Sequence, residues 1–531
     1  MLVFHGYLLR GTGSNVYNAN LAAALVRLGH EVHLVSQERH ASELDFVGAI
    51  GDWDTGVLEI EEIRAPGCTA YRPNIGGVLP VYVPDRYEGV NALPFPELSD
   101  RQLDAYLRAN VDAVAEVVAR SHPDVALANH LVMGPAILAR ALSGTGVPYA
   151  VTIHGSALEY TVKPHPRFLP FAREGVARAN GVLVGSRHSA ESLWATLEQP
   201  GLPARTRLGP PGVELSTFHP VEREQALAQL QAVADRIADR ARPHEPRLRC
   251  ERPAQAGSAS AFARDDAATA SALADLAQGA VREDRLVAFV GKLILAKGID
   301  LLLLAWPLVL AQVPTARLAV VGFGSDRAAA ERLIEALSRG DIGAVCAHEG
   351  AANAIDGAPA SQLTFTVSFI EWLEASDERE RYITAARRMR ERVVLTGRLE
   401  HDELAVLLPL CEAVVVPSTF PESFGMVAVE AAACGALPIS AAHSGLAEVS
   451  RTLANGLPER IRGLLSFPLG PDVVQCIARC LIGWLGAPAE LRNAARAQLT
   501  ETIATRYSWE GVARGVIAAA RGELEMLEPA A

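Results

Sequence analysis

The 531-residue sequence has no Cys-x-x-Cys pair and no Gly-x4-Gly-Lys-Ser/Thr loop. Its seven cysteines, Cys68, Cys250, Cys346, Cys411, Cys434, Cys476 and Cys480, are scattered and odd in number. That distribution fits reduced thiols and argues against a disulfide framework or a zinc ribbon, so the expected location is the cytoplasm. Without the phosphate-gripping Gly-x4-Gly-Lys-Ser/Thr loop, a P-loop nucleotidase is excluded by motif. Positive charge is also short. Lys and Arg number 49 against 61 Asp and Glu, a formal net charge of −12. An acidic chain repels polyanions, so nucleic acid is not an expected partner; peripheral membrane contact would need a local basic patch. Long apolar runs are missing too. The most apolar stretch, 301–313, is short and interrupted by Pro307, so no transmembrane segment is expected. Residues 1–10 have neither a basic leader nor a small-residue cleavage site, and read as a first strand rather than a signal peptide.

What is present is a repeated alternation of short apolar runs, loops and amphipathic stretches, too long for one core. The apolar run Leu2–Leu9 leads into Arg10-Gly-Thr-Gly-Ser-Asn15, a helical pattern over 16–28 and a strand over 32–36. Gly11 and Gly13 let backbone approach a ligand closely, although the third glycine of a dinucleotide fingerprint is missing. Residues 43–96 are turn-rich and give no assignment. Asp52-Trp53-Asp54 within them has the form of a metal-binding Asp-x-Asp, but two acids flanking one residue recur by chance, and a solvated loop is the reading adopted. Strands are expected at 125–128, 149–153 and 181–184, ending in Asn129-His130, His154 and Arg187. Ligands of open α/β sheets bind at such carboxyl ends.

Composition changes at 221–284, read as a flexible insert or linker with helical flanks. A second alternation follows: strands at 286–290, 316–321, 393–396 and 413–416, with another insert near 325–391. The expected division is 1–215, the insert 221–284, 285–490, and C-terminal helices over 491–531 that return to the first domain. The expected fold class is α/β, with two Rossmann-like domains.

Chemistry concentrates after the second set of strands. Lys292 and Lys297 sit between Gly291 and Gly298, just before a helix; two ammonium groups and a helix N-terminus make a seat for a diphosphate. Glu412–Pro438 reads as strand, loop and helix, with Ser423 as the expected cap of a helix over 426–433. Glu422 falls in the loop and Glu430 on the helix. Eight helical residues put two side chains most of a quarter turn out of register, so they are not an acid/base pair on one face. Carboxylates also accept hydrogen bonds from vicinal hydroxyls. A ligand with a diphosphate and two polyol ends is a nucleotide sugar.

In order and spacing, Pro421-Glu-Ser-Phe-Gly-x4-Glu430, Gly291-Lys-Leu-x4-Gly298, Gly322-x-Gly324, Thr396-Gly-Arg-Leu399 and Pro211-Gly-Val-Glu214 resemble the retaining glycosyltransferases of GT-B fold, the large family four. The resemblance covers most of the chain outside the inserts. It implies two Rossmann-like domains facing each other across a cleft that holds the donor. It implies that Lys292 and Lys297 neutralise the diphosphate, Glu430 binds the ribose, and Arg398 and Leu399 flank the base. Glu422, with the backbone at Phe424, Gly425 and Met426, would hold the donor sugar. Gly11 and Gly13 would approach the phosphates, and His154 would touch the sugar. Glu422, His154 and Lys297 are the expected catalytic groups, with no metal and no cofactor beyond the co-substrate. The acceptor, a sugar, a lipid-linked molecule or a small polyol, is not encoded legibly; Tyr82–Tyr87 and Asn129-His130 are the loops expected to meet it. A nucleotide-sugar epimerase or hydrolase, or a non-catalytic binding protein, is the alternative on the same fold. This chain departs from the family at Glu214, at Lys292 and at Ser444, which stands in the usual glycine pair.

Overall fold

The computed structural model describes every residue except 66, 83–89, 243–263, 282–283 and 344–360. The chain forms two compact units, Met1–Glu214 with Arg506–Ala531, and Leu215–Thr505.

The first unit carries β1 (Leu2–Phe4), β2 (Val32–Val35), β3 (Val47–Asp52), β4 (Glu59–Glu62), β5 (Cys68–Arg72), β6 (Leu79–Val81), β7 (Ala92–Pro94), β8 (Ala126–Asn129), β9 (Tyr149–Ile153), β10 (Gly181–Val184) and β11 (Thr206–Leu208). Nine of them form one sheet in the order β11-β10-β9-β8-β1-β2-β5-β3-β4, while β6 and β7 pair separately. Within the large sheet all neighbours are parallel except β3 and β4. The chain starts at β1, winds outward through β2, then returns to place β8 on the other side of β1. That reversal leaves a crevice outside the carboxyl ends of β1 and β8. The central strands are apolar on both faces, as helix-covered parallel strands are.

Regular strand ends at Phe4, not Leu9. The His5 and Gly6 amides both donate to the Val35 carbonyl, and the chain leaves the ladder there. The first helix runs Gly13–Arg27 with Thr12 as its cap, so Gly13 opens the helix and Gly11 alone stays in the loop. The unassigned stretch 43–96 supplies β3 to β7. Its pattern is weak because β3 carries Gly48 and Gly51, and β4 lies at the sheet edge with Glu59, Ile60, Glu61 and Glu62 all exposed.

The second unit carries β12 (Arg285–Val290), β13 (Ala316–Val321), β14 (Val393–Gly397), β15 (Cys411–Val416), β16 (Leu437–Ala441) and β17 (Ser466–Phe467). They form a parallel sheet in the order β14-β13-β12-β15-β16-β17. Here too the winding reverses, between β12 and β15. The segment expected as a linker builds helices Arg223–Ala241 and Asp266–Val281, which belong to this unit. Helix Ile299–Gln312 accommodates Pro307 and buries almost all of its length. The last helices divide. Ala489–Arg506 lies in the second unit apart from its final residue, whereas Trp509–Arg521 joins the first, capped by the Ser508 hydroxyl. Trp509 is fully buried there, its ring 5.3 Å from Tyr17. Burial of a side chain this large is worth roughly 3 kcal/mol.

The turn after β12 requires glycine at 298. Its φ is +68°, and a Cβ would run into the Pro417 carbonyl oxygen of the neighbouring β15 loop. We expect Gly298→Ala to lower stability by at least about 1–2 kcal/mol, read as a fall in thermal midpoint by circular dichroism. An unchanged midpoint would show that the two loops do not need this close approach.

Candidate active site

In the second unit the loops leaving β12 and β15 meet. Lys297 closes a short turn, Leu295–Lys297, and its ammonium group pairs with the Glu422 carboxylate. The Ser418 hydroxyl donates to the same oxygen, Glu422 Oε1, at 2.7 Å. The Thr419 amide donates to the Ala296 carbonyl at 2.9 Å, so backbone also ties the loops. Burial acts to raise the Glu422 pKa, but the Lys297 charge and the hydrogen bonds from Lys297 and Ser418 overcome it and hold the carboxyl below the usual carboxylate range.

Helix Met426–Ala433 begins after Gly425, whose φ of +117° makes it the cap. Ser423 is therefore not the cap; the glycine's left-handed turn starts the helix instead. A third loop, after β16, supports Glu422 from behind. Its amide donates to Ser444 Oγ at 2.9 Å, and its carbonyl accepts from the Gly445 amide at 2.9 Å. His443 Nε2 lies 2.7 Å from the Ser418 carbonyl, so that nitrogen carries the proton and Nδ1 accepts from the Ser444 hydroxyl at 3.1 Å. Ser444 holds a left-handed φ of 50°, the backbone of the glycine it replaces. Ser418, His443 and Ser444 were not singled out as site residues by sequence reasoning, and only the departure at Ser444 signalled them.

Glu430 is buried on the helix and meets His401 Nε2 at 3.1 Å. Burial disfavours the imidazolium, yet Glu430 prevails and raises the His401 pKa. Arg398 follows β14, with its guanidinium 5.7 Å over the Phe323 ring and Nη2 2.8 Å from Glu400 Oε1. Leu399 lies between them in sequence. Lys292 sits in the turn after β12, close to the end of that strand. The structure thus brings Lys297 together with Glu422, and puts Lys292, Arg398, Leu399, Glu422, Phe424, Gly425, Met426 and Glu430 on carboxyl-end loops or the helix that follows one of them.

The first unit has its own polar cluster at the ends of β1, β8 and β9. His5 Nε2 donates to Asn15 Oδ1 at 3.0 Å, and its Nδ1 accepts from Asn18 Nδ2 at 3.0 Å. Those partners require a neutral ring, and burial pushes the His5 pKa down to about 4. Asn15 also donates to the Arg10 carbonyl at 2.6 Å, and Glu38 accepts from the Leu9 amide at 3.1 Å, which fixes the loop that carries Gly11. His154 donates from Nε2 to Asn129 Oδ1 at 2.8 Å; burial and the neighbouring His5 lower its pKa to about 3. His130 is sandwiched between these rings, 5.5 Å from His5 and 4.9 Å from His154. Arg187 instead pairs with Glu528 at 2.8 Å, because it opens a helix near the C-terminal segment. Tyr82 is buried, its hydroxyl bonded to the Val132 carbonyl. Arg86 and Tyr87 lie outside the described residues. Asp52 and Asp54 both face Arg72, at 4.0 and 2.9 Å, an ion-pair role.

Two family descriptions match the chain in this order: a glycosyl transferase 4-like domain over residues 12–212, and glycosyl transferases group 1 over residues 373–458. The chain belongs to the group 1 glycosyltransferases. The second match contains Arg398, Glu422 and Glu430, and the first contains Gly13 and His154. Among relatives, glycogen synthase of Mycobacterium tuberculosis is 31% identical over 157 residues, 29% of this chain and 33% of that enzyme. The chain thus matches about a third of that relative's length. Among solved structures, sucrose-phosphate synthase from Thermosynechococcus elongatus superposes with a TM-score of 0.57 at 19% identity, covering 99% of both chains. The Anabaena HepE protein in complex with UDP-glucose gives 0.53 at 14% identity, again over 99% of both. The family fold is GT-B, α/β with two parallel-sheet domains.

The Glu422 pKa sets a pH signature. A carboxyl depressed on folding contributes stability above its unfolded value, and that contribution disappears as pH falls through the folded value. Wild type should exceed Glu422→Gln in urea midpoint at pH 7 and converge with it well below pH 4.5, the ordinary value. A constant difference across that window would contradict the ion-pair assignment. The buried His5 ring has the opposite charge logic. Its unfolded form takes up a proton near pH 6.5 that the folded form refuses until about pH 4. Stability should therefore fall as pH drops through that interval, and less so in His5→Gln.

Proposed function

We propose that this chain is an enzyme that moves a sugar, a hexosyl group in the simplest case, from a nucleotide-diphosphate sugar to an acceptor hydroxyl, with retention of anomeric configuration and without a metal. The observation that carries the reading is the Lys297–Glu422–Ser418 cluster where the β12 and β15 loops meet, ahead of a helix N-terminus. Cation, carboxylate and helix dipole in one place suit a ligand that is anionic at one end and hydroxylated at the other. Solved relatives of this fold hold UDP, UDP-glucose or ADP, in keeping with such a donor.

In this reading, departure of the nucleoside diphosphate builds negative charge on the phosphate while the sugar becomes oxocarbenium-like. Lys292 and Lys297 stabilise the departing charge where it develops. Lys297 has three donors, so its bond to Glu422 leaves two for phosphate oxygens. Glu422 and the backbone at Phe424, Gly425 and Met426 hold the sugar hydroxyls. Glu430 takes the ribose diol, with His401 fixing the carboxylate; Arg398 and Leu399 flank the base. Gly11, Gly13 and His154 are assigned to the donor by the family resemblance. A neutral His154 suits hydrogen bonding to a hydroxyl better than charge neutralisation.

Glu422→Ala and Lys297→Ala should each reduce sugar transfer by about a hundredfold or more with the circular dichroism spectrum retained. Normal turnover in either would remove the donor-site assignment. Transfer should persist in excess chelator; loss restored by a divalent ion would return Asp52 and Asp54 to consideration. A thermal-shift panel of UDP, GDP, ADP and their sugars identifies the donor, because a ligand of the folded state raises its midpoint.

A further inference from the structure

The helices Arg223–Ala241 and Asp266–Val281 lie in a segment longer than the fold requires. Their apolar faces, Leu230, Val233 and Ile237 on one and Leu273 and Leu276 on the other, are buried. Covering an edge strand explains part of their placement, since β14 ends the sheet. It does not explain the polar contacts that bracket one loop, 398–400, between β14 and helix His401–Leu407; a separate contact, Asp275 to Arg317, reaches β13.

At the start of that loop, the buried Thr269 hydroxyl donates to the Thr396 carbonyl at 2.8 Å. At its end, Glu403 is 1% exposed and accepts both guanidinium nitrogens of Arg264, at 2.6 and 3.1 Å. Arg240 adds a third contact at 3.1 Å. Glu403 in turn accepts the Glu400 amide at 3.0 Å and closes a reciprocal cap with Glu400. Glu400 then holds Arg398 at 2.8 Å. A continuous chain of charged hydrogen bonds therefore runs from Arg264 through Glu403 and Glu400 to Arg398. A two-point bidentate bond resists rotation in a way that a single contact does not.

We infer that the inserted helix pair is a positioning element for the nucleoside part of the donor, with Arg264 and Thr269 setting the loop that presents Arg398 and Leu399. This rests on the donor-site reading above. It assigns the insert to recognition of the base rather than of the sugar or the diphosphate, which belong to the β12 and β15 loops. Preorganising the loop lowers the ordering cost of binding, so the insert contributes to affinity without touching the ligand.

The test compares two probes by isothermal titration: the tightest of UDP, GDP and ADP, and inorganic pyrophosphate, which has no base. In Arg264→Ala and in the milder Thr269→Val, the nucleotide Kd should rise about tenfold while pyrophosphate binding stays at the wild-type value. Arg264→Lys should lie between, because it keeps the charge and loses the fork. Equal weakening of both probes, or an unchanged nucleotide Kd in both variants, overturns the positioning role and leaves a plain edge cover. If Arg264→Ala fails to fold, Thr269→Val decides by the same criterion. Should the wild-type protein bind pyrophosphate but no nucleoside diphosphate, the donor-site reading fails as well, which separates the two conclusions.

Discussion

The ion pair between Lys297 and Glu422 spans the point at which the second sheet reverses its winding. β12 and β15 are neighbours in the sheet, yet more than a hundred residues separate them, and their outgoing loops meet. Beyond the β12–β15 ladder itself, backbone and side-chain contacts tie these loops together. Lys297 to Glu422 provides one; Thr419 to Ala296 and the close approach of Gly298 to Pro417 provide others. Nearly every polar group of the candidate site in this unit depends on that junction. Ser418 and Ser444 fix Glu422, His443 fixes both serines, and the helix carrying Glu430 starts from the same loop.

The two units solve an electrostatic problem differently. The second gathers opposite charges, so its ionisable groups are shifted toward the charged form by partners: Glu422 by Lys297, Glu403 by Arg264, His401 by Glu430. The first gathers neutral rings. His5, His130 and His154 lie edge to face or stacked, and burial, with repulsion from neighbouring rings at His130 and His154, disfavours their charged forms. A neutral imidazole can donate and accept at once, which is how His5 joins two asparagines that shape the loop after β1.

Much of this architecture was legible in the sequence because parallel strands read as apolar runs. β9, β10 and β13 match the expected limits residue for residue. The motif loops were legible because glycine, proline and charge punctuate them. What escaped had physical causes. β3 to β7 are short; β3 is interrupted by glycines, β4 is exposed throughout, and β6 and β7 form a separate three-residue pair. The cap at Gly425 was hidden because sequence favours Ser423, while a left-handed residue directly before the helix takes the cap position. The His443–Ser444 support could not be read from spacing, since it depends on which ring nitrogen faces a carbonyl. The insert looked like a linker because its composition is that of solvated helices, although one face of each is apolar at helical spacing.

The open flank of the first sheet carries one more consequence. β4 is an edge strand with Glu59, Glu61 and Glu62 exposed, next to exposed Val57, Ile60 and Ile63. Among the described residues it has no second strand neighbour, and its aliphatic side chains suit pairing. Two copies meeting edge to edge would set glutamates against glutamates, a repulsion that opposes what the aliphatics gain. The acidic residues thus disfavour pairing of this edge with a second copy of itself.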